Sequence, residues 1–165
     1  MQMKKSIVDE IINVVCETWK NNINKDYLEG LLLEEHIEMR FYHHLRTKLG
    51  KLLNENNLCI YTEYLGSEFK ELGYRPDMVV VKMKKDCDEK YLINHIEEVV
   101  VAFEFKFKDK YEFNTIVADA DKIYNYIKRI NNNCQYVMAI IHEKILGKIL
   151  FGLLKNKLII GQKEE

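Results

Sequence analysis

The nine residues from Val99 to Phe107 constrain the fold of this chain more than any other feature. Side chains on a strand alternate faces, so an extended reading puts Val101, Phe103, Phe105 and Phe107 on one side and Glu104 and Lys106 on the other. One side builds core, and the other presents an acid beside an amine. Upstream, Arg75-Pro76-Asp77 leads into a second apolar run, Met78 to Val81. Antiparallel pairing of the two runs brings Asp77 next to Glu104. Two carboxylates about 4 Å apart repel by roughly 4 kcal/mol at an effective dielectric of 20, so a fold that gathers them normally supplies a cation. The pattern is a metal site in outline.

Size and composition fit one globular domain spanning residues 1–165. The chain is 47% hydrophobic and 31% charged, with one proline, seven glycines and no linker or repeat, so it can bury a core without internal divisions. Its net charge of -1 gives no global attraction to a polyanion, and any nucleic-acid contact has to be local. Lys82, Lys84 and Lys85, and Lys144, Lys148, Lys155 and Lys157, are the candidate basic patches, although such runs are most often solvated surface. Cys16, Cys59, Cys87 and Cys134 are widely spaced, and no secretory leader precedes them, so a reducing, cytoplasmic setting is expected. No apolar run approaches the roughly 18 residues that a membrane span needs.

Hydrophobic spacing predicts an N-terminal packing helix over residues 4–20, ending near Asn21-Asn22, so that residues 1–22 form a unit beside the core. A second helix is predicted from about Asp26, its N-cap, to Leu53. Ile37, Phe41, Leu45, Leu49 and Leu52 form its buried stripe, and Gly30 is the point where its first turns bend or break. Strands are expected over 58–65, 76–83 and 97–108, a helix over 115–130, and a further buried strand over 134–141. Residues 142–165 form a C-terminal extension that reads either as a short helix plus an edge strand or as a hairpin. This order implies an α/β (α+β) fold with a mixed sheet. The first three strands are antiparallel neighbours, and a helical crossover makes the fourth parallel.

Mg²⁺ suits the carboxylate pair, because it takes oxygen ligands and needs only one or two carboxylates; Mn²⁺ is its natural substitute. No cysteine or histidine spacing suits zinc, and no Gly-x-x-x-x-Gly-Lys loop is present to cradle a nucleoside triphosphate. A lysine two residues beyond a ligand can orient water or offset charge on phosphorus.

Pro76-Asp77, followed 27 residues after the aspartate by Glu104-Phe105-Lys106, resembles the PD-(D/E)xK signature of the restriction-endonuclease-like nuclease superfamily. The similarity covers residues 31–141, and the helix-strand-strand-strand-helix-strand order resembles that family's core, with the N-terminal helix as an addition. It implies a metal-dependent nuclease in which Asp77 and Glu104 bind Mg²⁺, the Phe105 carbonyl completes the coordination and Lys106 is the catalytic lysine. Family members often add a helix glutamate, for which Glu38 is the first choice and Glu34 and Glu35 the alternatives. Glu63 on the first strand is a further carboxylate near the site, and Asp119 with Lys122 corresponds to a supporting polar pair on the later helix. Taken alone, Glu-x-Lys is usually a solvated strand face and Arg75-Pro76-Asp77 a common strand-entry turn, while Glu38 beside Arg40 and Arg46 reads equally well as a surface ion pair and Asp119 with Lys122 as an i,i+3 pair. Their combination favours the site.

The expected activity is hydrolysis of phosphodiester bonds in DNA by metal-activated water. At this length no separate target-recognition domain is expected, so selectivity would come from nucleic-acid structure or from a partner, and a homodimer would be a natural way to cut two strands. Tyr61, Tyr64 and Tyr74 are candidates to stack bases, though aromatic strand residues are more often core. The histidines read as ordinary surface or helix residues. The rival expectation is a catalytically inactive member of the same fold that serves as a nucleic-acid or protein binding module, which the near-zero net charge favours slightly.

Overall fold

A computed structural model of the chain describes residues 5–30, 33–64, 66, 75–86, 88, 90–108, 121, 134–142 and 149–154. These residues form a mixed α/β structure in which helices pack on one face of a five-stranded sheet. The predicted single N-terminal helix is instead a continuous helical run in three parts. Helix α1 (Lys5–Thr18) passes through a π-helical turn, Trp19–Ile23, into a short α2 (Asn24–Leu28). The apolar residues explain why it does not stop at Asn21. Ile11, Val15, Trp19 and Ile23 are all buried at i+4 spacing. Each i+4 step overshoots an α turn but falls short of the wider π turn, so the π turn returns Ile23 to the buried face.

The second predicted helix is divided at Gly30. Its φ of +113° is a conformation that residues with a Cβ rarely adopt. Beyond it, α3 (Glu34–Glu55) buries Ile37, Phe41, Leu45, Leu49 and Leu53. Leu53 thus replaces the predicted Leu52, which is only partly buried, because the i+4 stripe runs to the helix end. Asp26 is no N-cap. It lies within α2, and its carboxylate meets His44 Nε2 of α3 at 2.8 Å, so one of the histidines read as ordinary ties the two helices together.

The two glycines on this segment make opposite predictions. Gly30→Ala should lower the unfolding free energy by about 1–2 kcal/mol, because alanine is strained at that φ. Gly50→Ala, inside α3 with open space where a Cβ would lie, should raise it by about 0.5–1 kcal/mol. Urea denaturation midpoints of the two variants check both signs.

The strands are β1 (Leu58–Thr62), β2 (Met78–Met83), β3 (Ile96–Lys108), β4 (Gln135–His142) and β5 (Ile149–Leu154), in the spatial order of their numbers. A 3₁₀ turn, Leu92–His95, leads into β3. The first three strands pair antiparallel, β4 runs parallel to β3, and β5 returns antiparallel to β4. The parallel step requires a crossover. Of the helix expected for it, 115–130, only Asp121 is among the described residues, and the pair Asp119 and Lys122 lies outside them. In the C-terminal extension β5 is the edge strand.

Between β2 and β3 the register runs Val80↔Val101 and then Val81↔Val99, so Val100 is the extra residue of a β-bulge. From Val101 onward the alternation read from the sequence holds. Phe103 and Phe105 are fully buried toward the helices, and Phe107 is partly buried in the same cluster. The Phe41 ring of α3 packs edge-on against both phenylalanines, at 5.7 Å and 5.2 Å between centroids, and Trp19 stacks on Phe105 at 6.3 Å. Val79, Val81, Val99, Ala102, Tyr136, Met138 and Ile140 form a second buried cluster on the other side of the sheet. No helix among the described residues is long and apolar enough to cross a membrane.

Candidate active site

The site forms where β2 ends and β3 continues. The last β2 pairing on this side is Met78↔Phe103, and Asp77 N–H donates to the Phe103 carbonyl at 3.1 Å. Beyond Phe103, β3 extends past its neighbour, and its main-chain groups on that edge need other partners. Side chains supply them. Phe105 N–H donates to Asp77 Oδ2 at 2.7 Å, and Phe107 N–H donates to Glu34 Oε2 at 3.1 Å. The Phe105 carbonyl accepts from Lys106 Nζ at 2.8 Å. Two carboxylates and an ammonium therefore take the hydrogen bonds that a longer β2 would have made.

Lys106 is the hub. Its Nζ lies 3.0 Å from Glu104 Oε1, 3.1 Å from Glu34 Oε1 and 4.0 Å from Asp77 Oδ2. Asp77, Glu104 and Lys106 side chains are mostly buried, at 20%, 15% and 14% exposure, so their charges interact through a medium that screens less than water. Burial pushes the Asp77 carboxyl up to about 7, reinforced by the neighbouring Glu104 charge, against the opposing pull of the Phe105 N–H and Lys106. Burial works against the charged form of Lys106 as well. Glu104, Asp77 and Glu34 outweigh it and hold the ammonium above the ordinary lysine range. At neutral pH Lys106 is a proton donor in hydrogen bonds, not a base.

Among the three helix glutamates, Glu34 is the one that bonds to Lys106. It starts α3, one turn before Ile37, where an acidic side chain is also favoured by the helix dipole. Glu38 lines a half-open cavity of about 470 Å³ with Glu35, Tyr42 and Tyr61, next to the site. Its carboxyl is pushed up to about 7, by burial first and then by the charges of Glu63, Glu34 and Glu35, against Arg75. Glu63 lies just past β1, exposed and ion-paired with Arg75, and its N–H donates to the Asp77 carbonyl at 2.7 Å. It braces the Asp77 backbone. The link to Glu34 and the adjoining cavity were beyond sequence reasoning, which had no signal for how far along the sheet the helix start would lie.

The basic patch at 82–85 is partly neutralised within the fold. Lys82 pairs with Glu97 at 3.0 Å, and Lys84 Nζ donates to the Asn94 carbonyl at 2.8 Å. Tyr64 is buried, Tyr61 is partly exposed at the cavity, and Tyr74 and the C-terminal lysines lie outside the described residues.

For a divalent cation the chain offers Asp77, Glu104 and the Phe105 carbonyl. Among the described residues, no group of three or more histidine, cysteine, aspartate or glutamate side chains gathers closely enough to hold a metal ion. In donor chemistry two carboxylates and a main-chain carbonyl suit Mg²⁺, a hard cation that takes one or two carboxylates and keeps several waters, and in the structure Lys106 Nζ lies between these oxygens, within 4.0 Å of each. The chain matches no family model, no curated protein and no solved structure.

Proposed function

We propose that this chain is a Mg²⁺-dependent nuclease of the PD-(D/E)xK kind, hydrolysing phosphodiester bonds in DNA and accepting Mn²⁺ in place of Mg²⁺. The observation that carries the reading is the convergence of Asp77, Glu104, the Phe105 carbonyl and Lys106 at the overhanging end of β3. When bound, the metal supplies Lewis acidity and an acidified water for in-line attack on phosphorus. Asp77, Glu104 and the Phe105 carbonyl would hold it. Lys106, kept protonated by its carboxylate neighbours, would donate hydrogen bonds to the water or to the phosphoryl oxygens as negative charge builds on them. Glu34 orients that lysine from the helix side, and its own carboxylate is steadied by Phe107 N–H.

The test is cleavage of single-stranded, duplex and branched DNA in Mg²⁺ by the wild type and by Lys106→Ala. Removing a group that stabilises developing charge should lower the rate by roughly 10³-fold, with the circular dichroism spectrum unchanged. The near-zero net charge favours a second reading, a catalytically silent binding module of the same fold. Wild-type protein that cleaves none of these substrates would leave that reading in place of the enzyme.

A further inference from the structure

We propose that Lys106 holds the cation's position in this site until a divalent cation binds, and that its ammonium then withdraws onto Glu34. The inference rests on the metal site of the proposed function and deepens it. An ammonium has three N–H donors, and Lys106 has three close acceptors: the Phe105 carbonyl at 2.8 Å, Glu104 Oε1 at 3.0 Å and Glu34 Oε1 at 3.1 Å. Two of these acceptors, and Asp77 Oδ2 at 4.0 Å, belong to the set that would coordinate the cation. In this arrangement Lys106 has no N–H left for a water or a phosphate, and a second cation on the same oxygens would be repelled. Lysine and cation are therefore competitors for Asp77, Glu104 and the Phe105 carbonyl.

Glu34 is the member of the cluster placed to resolve the competition. Its Oε2 is anchored on Phe107 N–H, which leaves Oε1 to keep the ammonium without drawing on the other carboxylates. A lysine held only by Glu34 recovers N–H donors for substrate. Cation binding would thus arm the lysine as well as supply the metal, and Glu34 is a positioning residue rather than a ligand.

The experiment is titration of the full chain with Mn²⁺ alone, without nucleic acid, following free Mn²⁺ by electron paramagnetic resonance. The proteins are wild type, Lys106→Met, Glu34→Gln and the double variant, with thermal melting to establish that each is folded. Each charge-assisted hydrogen bond that binding must break weakens it by about tenfold or more, so Lys106→Met should bind Mn²⁺ at least about tenfold more tightly than wild type. Glu34→Gln should weaken binding several-fold when Lys106 is present and much less in the Lys106→Met background. Equal Mn²⁺ affinity of wild type and Lys106→Met overturns the inference and leaves the nuclease reading standing. Additive effects of the two substitutions do the same, because they indicate only a background electrostatic field. Absence of Mn²⁺ binding in every variant overturns both readings. If the substitutions unfold the chain, the side-chain ¹⁵N resonance of Lys106 in the wild type decides: it should shift on adding Mg²⁺, and an unmoved resonance refutes the displacement.

Discussion

Asp77→Asn should make the protein more stable at pH 8 and, in the nuclease proposed above, sharply lower its activity. The two effects have one cause. The folded-state pKa of Asp77 is raised to about 7 from an ordinary 3.8, chiefly by burial and then by Glu104. Between those values the folded state binds the proton more tightly than the unfolded chain does. The contribution of this group to stability is therefore greatest below about pH 4, declines as pH rises, and is fully lost above about pH 7. A shift of about three units sets an upper bound of about 4 kcal/mol, and water reaching the site reduces the expected gain from Asp77→Asn to about 1–2 kcal/mol at pH 8. Asparagine keeps an acceptor for Phe105 N–H, and Lys106 retains Glu104, Glu34 and the Phe105 carbonyl. Thermal melts from pH 4 to pH 8 should show the advantage of the variant shrinking toward the acid end, and a lower melting temperature at pH 8 would refute the argument. Mg²⁺ should raise the melting temperature of the wild type and not of the variant, since a cation that binds only the folded state stabilises it. Cleavage by the variant should fall by roughly 10³-fold, as expected when the charge that holds the reacting centre is removed.

Phe41→Ala should have the largest effect on folding. The ring is fully buried, packs edge-on against Trp19, Phe103 and Phe105, and joins the N-terminal helical run to the central strand. Truncating such a residue costs about 3–5 kcal/mol, from lost burial and from the cavity left behind. Domains of this kind have only about 5–15 kcal/mol in total, so a large part of the stability goes with one side chain. The same loss loosens the start of α3, two turns upstream, where Glu34 bonds to Lys106. Urea denaturation should show the midpoint falling sharply in Phe41→Ala and much less in Phe41→Leu, which refills most of the volume. Similar midpoints for the two variants would show that the ring is not the keystone described.

The central strand was legible because period-two alternation is unambiguous once charged and aromatic residues take turns. With Phe103 facing the helices, Glu104 and Lys106 had to face away, and pairing the Met78 run with it carried Asp77 to their side. The choice among the helix glutamates was not legible. Glu34 and Glu38 both flank the stripe through Ile37 and Phe41, and helical phase alone does not rank them. What separates them is where Gly30 ends the preceding helix and how far α3 is set along β3. Both depend on tertiary packing. The bond between Asp26 and His44 was hidden for the same reason, because partners 18 residues apart on two helices meet only when the angle between the helices is known.

The overhang of β3 also bears on how this protein avoids sticking to itself. A strand that outruns its neighbour presents a row of main-chain groups on which another chain can build, the usual start of sheet-to-sheet aggregation. Here that row is already taken by carboxylates and an ammonium, and an incoming strand would have to displace them and strand their charges away from water. Among the described residues, the charges of the candidate site also guard this stretch of strand edge, so clearing them to gain thermal stability would trade one hazard for another.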